Sequence, residues 1–439
     1  MSTPATIRRP CPIPPPVKQA GWRPILAPLR IRGFRLFLIG QVSSNAGGWV
    51  QRIAQDWLVL TVTGSTTAVG VTTALQLAPT LVLGPAGGLI ADRYPKRRVL
   101  LGTQTAMASM AGILAVLTAT NQVQVWQIYV LATCLGVVIA VDKPTQQALV
   151  TELVGQGNLR AAVSLHASVF QFGGLVGPAI SGVLIHVVGT GYAFGINALS
   201  FLAPMITIYL IREHDLQRPA ERVARSGGQL QEAVRYVFGR KDALWPIVLA
   251  GVFGLFTTNL PNTLAAYAKE FLSFGPTGYA LLNTLVAVGS LGGALASARF
   301  PIVRLRSIVA AALLLAAGYV LASVAPNVAI LCVLLVPIGA STALLLTSVS
   351  SAVQLAVSSS LRGRVIGVYL LVFVGSGAVG GPVLGIINQS FGPQAALLVS
   401  GLVPGFATLV VAWKLAQQTG QRVRFRPQAL SEVLVIVPR

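Results

Sequence analysis

Apolar residues in this chain come in runs of roughly the 20 residues that an α-helix needs to cross the hydrocarbon core of a bilayer. Twelve such runs stand at 36–62, 67–91, 98–119, 124–148, 161–188, 191–211, 243–268, 276–298, 305–324, 328–350, 364–389 and 394–415. Polar punctuation between them is brief, down to the "GTG" at 189–191. The pattern predicts an all-α polytopic membrane protein with twelve spans. The longest internal polar stretch, 212–242, divides those spans six and six. Its "ARSGG" reads as flexible linker, and the "QLQEAVRYVFG" that follows reads as an amphipathic surface helix. The expected organisation is a tail over 1–35, a six-helix bundle over 36–211, a linker over 212–242, a second bundle over 243–415 and a tail over 416–439.

Composition agrees with lipid as the solvent: 54% of the 439 residues are hydrophobic and 10% are charged. A net charge of +21 would in a soluble chain suggest nucleic acid. Here the basic residues sit in connectors, so nucleic acid is not an expected partner. Arg93, Lys96, Arg97, Arg98, Arg160, seven basic residues from Arg212 to Lys241, Arg299, Arg304, Arg306, Arg362 and Arg364 all fall in even-numbered connectors, and the odd-numbered ones hold only Lys269. Since Lys and Arg accumulate on the cytoplasmic side, both termini are expected in the cytoplasm. The tail before Arg35 lacks the apolar core of a cleavable signal. Arg greatly outnumbers Lys, as in GC-rich genomes, and the expected location is a bacterial inner membrane.

Cys11, Cys134 and Cys332 have no metal-ligand spacing, and no metal or cofactor is expected. There is no GxSxG elbow, HExxH pair or phosphate-binding loop, so the chain is not expected to be an enzyme.

The two halves repeat one another. "GGLVGPAISG" (Gly173 to Gly182) answers to "GAVGGPVLG" (Gly377 to Gly385), with Pro178 and Pro382 204 residues apart and Arg160 and Arg364 at the same offset. "GGLIADRYPKRR" (Gly87 to Arg98) answers to "GGALASARFPIVRLR", but Ser297 stands where the first half has Asp92. The charge cluster is complete in the first half alone, which points to a role beyond topology.

Two six-helix halves and G-x-x-x-D-R-x-x-[KR]-R between spans two and three resemble the major facilitator superfamily. Gly88, Asp92, Arg93, Lys96 and Arg97 match its loop signature, motif A, with Pro95 where that pattern usually has glycine. The resemblance implies that Asp92 docks near the start of span eleven, Gly363 to Gly367, when the transporter faces outward. Unpaired N–H groups and the helix dipole favour a carboxylate there. It also implies Asp142 as a partner for Arg93 or Arg97, the whole forming a latch between the halves. The other reading of these charges is a mark of topology alone.

Gly173, Gly177, Pro178 and Gly182 resemble the span-five signature of exporters in this superfamily. Small residues allow close helix approach, and proline bends the helix; the alternative is an ordinary packing face. The "FRLFLIGQVSSNAGGWVQRIAQDWLVLTVTGS" stretch is similar to the multidrug and siderophore exporter branch, which includes enterobactin exporters and macrolide efflux proteins. Ala132 occupies the place where related drug antiporters carry a coupling arginine, so their proton relay is not carried over.

In the family, spans one, four, seven and ten line the cavity. Arg52 and Asp56 in span one are four residues apart and share a helix face. Two readings stay open: a permanent ion pair that fixes span one, or a carboxyl that gains and loses a proton and couples export to the proton gradient. Asn45 and Gln55 on span one, Gln146 on span four, Asn259 and Asn262 on span seven and Thr342 on span ten are the expected polar lining. So sparsely charged a cavity suits a small amphipathic organic molecule, the drug or siderophore class. The expected activity is secondary active export by proton antiport and alternating access, carried out by a monomer. An uptake symporter or lipid flippase of the same fold, or a receptor without transport, are the alternatives.

Overall fold

The computed structural model describes residues 26–212, 215–216, 229–271, 275–297, 305–357, 361–418, 421–425 and 434–438. Most of the expected N-terminal tail, together with Arg299 and Arg304, lies outside the described residues. A short 3-10 helix, Ala27–Arg30, leads into α1, Arg32–Thr63. Then come α2 (Thr66–Arg93), α3 (Lys96–Ala119), α4 (Val125–Ser200) and α5 (Leu202–Leu210) in the first half. The linker helix α6 (Gln229–Gly239) precedes α7 (Lys241–Thr257), α8 (Leu260–Phe271), α9 (Gly275–Ser297), α10 (Leu305–Ser323), α11 (Val328–Leu355) and α12 (Arg362–Gln418).

Eight of the described helices are long and apolar enough to cross a membrane. That number and the twelve expected spans differ for local reasons. α4 breaks at Gly155, so that Val125–Gly155 and Gly157–Leu210 count separately, and two of the eight are double: Gly157–Leu210 turns at Gly189, and α12 at Gly392. Gly189 (φ 81°, ψ 168°) and Gly392 (φ 81°, ψ 166°) adopt a backbone conformation open essentially to glycine alone, so one residue closes each hairpin. Their positions correspond in the two halves, which extends the sequence repeat into backbone geometry. The remaining two spans are the polar α1 and the shorter α10, whose apolar core is Ser307–Ser323. Span seven is made of α7 and α8, joined through Thr258 and Asn259.

Glycine sets the closest helix approaches. A Cβ on Gly40 would stand 2.3 Å from Thr207 Oγ1, and one on Gly47 2.3 Å from Asn197 Oδ1, so α1 beds directly against span six. Likewise Gly87 meets the carbonyl of Ala140, and in the second half Gly293 meets that of Ala340. The two bundles are thus assembled by the same device, α2 on α4 and α9 on α11. The linker helix α6 buries Ala233 and Val237 in the main core, and Glu232 pairs with Arg364 at 2.5 Å. After α12 the chain departs from the all-helical expectation. β1 (Gln421–Phe425) pairs antiparallel with β2 (Leu434–Pro438), which accounts for the apolar run near the C-terminus as a strand.

Candidate functional site: a cavity between the halves

A cavity of about 290 Å³ lies midway along the spans and takes its walls from both bundles. Trp49 and Arg52 of α1, Gly174 and Pro178 of α4, Thr258 and Pro261 at the α7–α8 junction, Asn283 and Ser290 of α9 and Thr342 of α11 all border it. Arg52 is the charged side chain among the lining residues.

The face of the molecule that carries Lys269 is sealed by contacts between the halves. Tyr279 Oη donates to Asp56 Oδ2 at 2.9 Å, and the Trp57 and Tyr279 rings stack with centroids 6.3 Å apart. Thr66 Oγ1 donates to the Gly385 carbonyl at 2.9 Å, Ser65 and Thr67 hydroxyls each reach Gln389 Oε1 at 2.7 Å, and Lys269 Nζ donates to the Gly64 carbonyl at 3.2 Å. Backbone meets backbone where a Cβ on Gly70 would stand 2.0 Å from the Gly381 carbonyl oxygen. On the opposite, basic face, a Cβ on Gly363 or Gly367 would meet nothing within 4 Å. The pocket around Asp92 there is bordered by first-half residues, Gly88, Pro144, Gln147 and His166 among them.

Glycines of the span-five motif divide their work. Gly173 and Gly177 seat α1, the latter with 2.3 Å from its would-be Cβ to Trp49 Cβ. Gly182 faces the other half: its would-be Cβ is 2.5 Å from Ala280 Cβ, and Thr277 Oγ1 donates to its carbonyl at 3.4 Å.

A family model described as transmembrane secretion effector matches residues 24–433. The chain belongs to this family. Among curated relatives, the staphyloferrin A transporter of Staphylococcus aureus is 30% identical over 161 residues, 36% of this chain and 41% of that protein. The multidrug efflux pump Tap of Mycolicibacterium fortuitum is 23% identical over 381 residues, 84% of this chain and 92% of the pump. Macrolide efflux protein A of Streptococcus pyogenes is 21% identical over 58% of this chain and 64% of its own length. Against the first two relatives the match spans less than half of their length, 41% and 46%. Solved structures share the fold. A POT family transporter with a thioalcohol-conjugated peptide superposes with a TM-score of 0.72 at 14% identity, covering 88% of this chain and 97% of that one. A bacterial homologue of the lysosomal transporter Spinster, inward-facing and unoccupied, gives 0.69 at 13% identity over 93% and 100%. The chain therefore has the polytopic helical fold of these transporter structures.

Several expected pairings are corrected. Asp56 and Arg52 do share a face of α1, yet they form no ion pair within 4.0 Å. Asp56, 5% exposed, accepts from Tyr279, while the Arg52 guanidinium reaches the Thr258 carbonyl at 3.4 Å and lies 5.8 Å from the centre of the Trp49 ring. Asp142 pairs with neither Arg93 nor Arg97. Its carboxylate, 2% exposed, accepts from Thr103 Oγ1 at 2.7 Å, Gln104 Nε2 at 3.2 Å and Gln146 Nε2 at 2.6 Å. Three neutral donors so close satisfy a buried carboxylate without a cation. Arg97 instead donates to the Tyr209 carbonyl and lies over its ring, and Lys96 pairs with Glu152 at 2.9 Å. Pro95 caps the start of α3, so the proline in the motif A loop fits its turn.

Of the expected polar lining, Thr342 borders the cavity, and Asn45, Gln55, Gln146, Asn259 and Asn262 do not. Asn259 Nδ2 is spent on the carbonyls of Leu255 (2.9 Å) and Gly377 (2.8 Å), stitching the α7–α8 break to α12. Among the described residues no three His, Cys, Asp or Glu side chains are placed to hold a metal ion.

Proposed function

We propose that this chain exports a small amphipathic organic molecule across the bacterial inner membrane by alternating access, driven by proton antiport. In this reading residues 36–211 and 243–415 are the two rocking bundles, 212–242 the cytoplasmic linker, and both termini are cytoplasmic. The state described here then faces inward, with its outer side shut. The observation that carries the reading is the cavity shared by both bundles, capped on the Lys269 face by bonds from Asp56, Ser65, Thr66 and Thr67 to the opposite half. Breaking those bonds and forming new ones at the basic face is the motion that transport needs. Motif A supports the same cycle: Asp92 and the start of α12, Gly363 to Gly367, are in this reading the two parts of a latch between the halves at the basic face.

Relatives named for efflux of macrolides and multiple drugs, and for a siderophore, support the substrate class and direction. Asp56 is the coupling group in this proposal, because its hydrogen bond belongs to one state of the cycle and a proton on the carboxyl weakens its claim on Tyr279.

The test is substrate efflux from proteoliposomes under an imposed pH gradient, with Asp56→Asn and Asp92→Asn beside the parent protein. Gradient-driven export that loses its pH dependence in Asp56→Asn while downhill flux persists supports the assignment. Normal coupling in that variant removes Asp56 from the mechanism, and movement only down the substrate's own gradient removes antiport.

A further inference from the structure

The cavity's chemistry is lopsided. Its walls hold a guanidinium and no carboxylate, because Asp56, one helical turn from Arg52, is turned to Tyr279 in the other half. Arg52 offers five N–H donors in a rigid fork, and its hydrogen bond here is a 3.4 Å contact to a backbone carbonyl. Four hydroxyls border the cavity. Those of Thr257, Ser290 and Thr342 spend their hydrogens on the carbonyls of Phe253, Gly339 and Ile338 at 2.8, 3.2 and 2.8 Å. The fourth, Thr258 Oγ1, is buried without a partner, on the very residue whose carbonyl Arg52 touches. A fork of donors held by one long bond, in a lining that holds no carboxylate, is a receptor for the carboxylate of a ligand. Around it Pro178, Leu260, Val286, Ala287 and Leu346 offer apolar wall, and the Trp49 indole a flat one.

We propose that the cavity takes an amphipathic organic anion, its carboxylate on Arg52 and its apolar body against α9 and α11. The inference rests on the export reading and narrows its substrate class. It also gives the ligand a mechanical effect. Arg52 belongs to the first half and Thr258 to the second, so a carboxylate that takes the guanidinium replaces a direct bond between the halves with one through the cargo. An amphipathic cation finds no counter-charge in the lining and meets the field of Arg52 instead.

The experiment uses one aromatic body carrying three head groups, a carboxylate, its primary amide and the corresponding amine, titrated calorimetrically against the purified full chain. The carboxylate binds at least about tenfold tighter than the amide, and the amine weakest, as expected for a charge-assisted bidentate contact. Arg52→Gln brings the carboxylate to the level of the amide, and Arg52→Lys recovers part of the difference. The comparison of heads on the parent protein needs no variant, so a misfolded Arg52→Gln leaves the inference exposed to refutation. Equal binding of all heads, a preference for the amine, or no binding by any of them overturns it. Vesicle efflux of the same three compounds separates the two claims. Export of the amine with no anion preference leaves the export reading standing and this one fallen; Arg52-dependent anion binding without directional flux does the reverse.

Discussion

Tyr279 Oη lies 2.9 Å from Asp56 Oδ2, a hydrogen bond that joins α9 of the second half to α1 of the first across 223 positions of sequence. Both side chains are buried, and each is the other's means of satisfaction. A hydrogen bond to an ionised partner contributes about 1.5–3 kcal/mol, enough to shift a two-state equilibrium by tenfold or more. Tyr279→Phe keeps the ring stacked on Trp57 and deletes the hydroxyl. The expected result is a loosened Lys269 face. It is read as roughly tenfold lower cross-linking of a Ser65→Cys, Gln389→Cys pair, by the same conversion, in a background without the three native cysteines. Unchanged cross-linking would mean that the Thr66 bond to Gly385 and the close approach of Gly70 to Gly381 hold the face alone.

Gly177 and Gly182 lie in one motif but have opposite addresses. Alanine at Gly177 drives a Cβ into Trp49 within the first bundle, and overpacking of that kind costs about 1–3 kcal/mol of fold stability. Alanine at Gly182 drives its Cβ into Ala280 of the second bundle, so it acts on the closed state rather than on either bundle. A lower thermal midpoint is expected for the first. For the second the expected result is a near-normal midpoint with weakened closure, restored when Ala280→Gly is added. Failure of that rescue would show that Gly182 matters for something other than the approach of α9.

Asp142 collects three donors, two of them amides able to turn over. Asp142→Asn is therefore expected to fold with small loss, since Gln104 and Gln146 can present their oxygens to the new amide hydrogens. Asp142→Leu strands the Gln104 and Gln146 amides in the interior at about 1–3 kcal/mol for each, while Thr103 keeps the Leu100 carbonyl, and a fall in thermal midpoint follows. If Arg97 were the true partner, Arg97→Gln would destabilise as much as Asp142→Leu; it is expected to leave the midpoint near that of the parent.

The Glu232–Arg364 pair is half-exposed, 60% and 33% for the two side chains, and such pairs contribute about 0–1 kcal/mol. Glu232→Gln is expected to leave the thermal midpoint nearly unchanged, whereas Ala233→Asp, on the buried side of the same linker helix, detaches it. Limited proteolysis at the linker distinguishes the two: protection retained in the first, lost in the second. Rapid cleavage of both would show that the ion pair and not the apolar face holds α6.

Spans were legible in the sequence because lipid imposes length and apolarity on every one of them, and the half repeat because the same glycines solve the same packing problem twice. Partners of charged groups were not. The spacing of Arg52 and Asp56 permits a pair on one helix, and only the opposite half reveals Tyr279 as the competitor for the carboxylate. For Asp142 a signal existed: Gln146 stands one turn away, and Gln104, with Thr103 beside it, is the one carboxamide of span three. Superfamily resemblance favoured an arginine instead. Amides such as Asn259 read as cavity lining because polarity in a span suggests solvent or substrate, yet a broken helix needs the same side chain to cover its freed carbonyls.

Gly189 and Gly392 each turn a hairpin with a single residue, and Gly64 and Ser65 alone separate α1 from α2. On that side of the membrane the molecule has almost no slack chain. Nothing there is long enough to be cut by a protease, carry a glycan or an inserted epitope, or serve an antibody as a handle. The longer segments there are 120–124, 272–274 and 324–327, and a topological label belongs at 120–124. Whatever grips, modifies or regulates this protein through its polypeptide must do so mainly from the opposite, basic face.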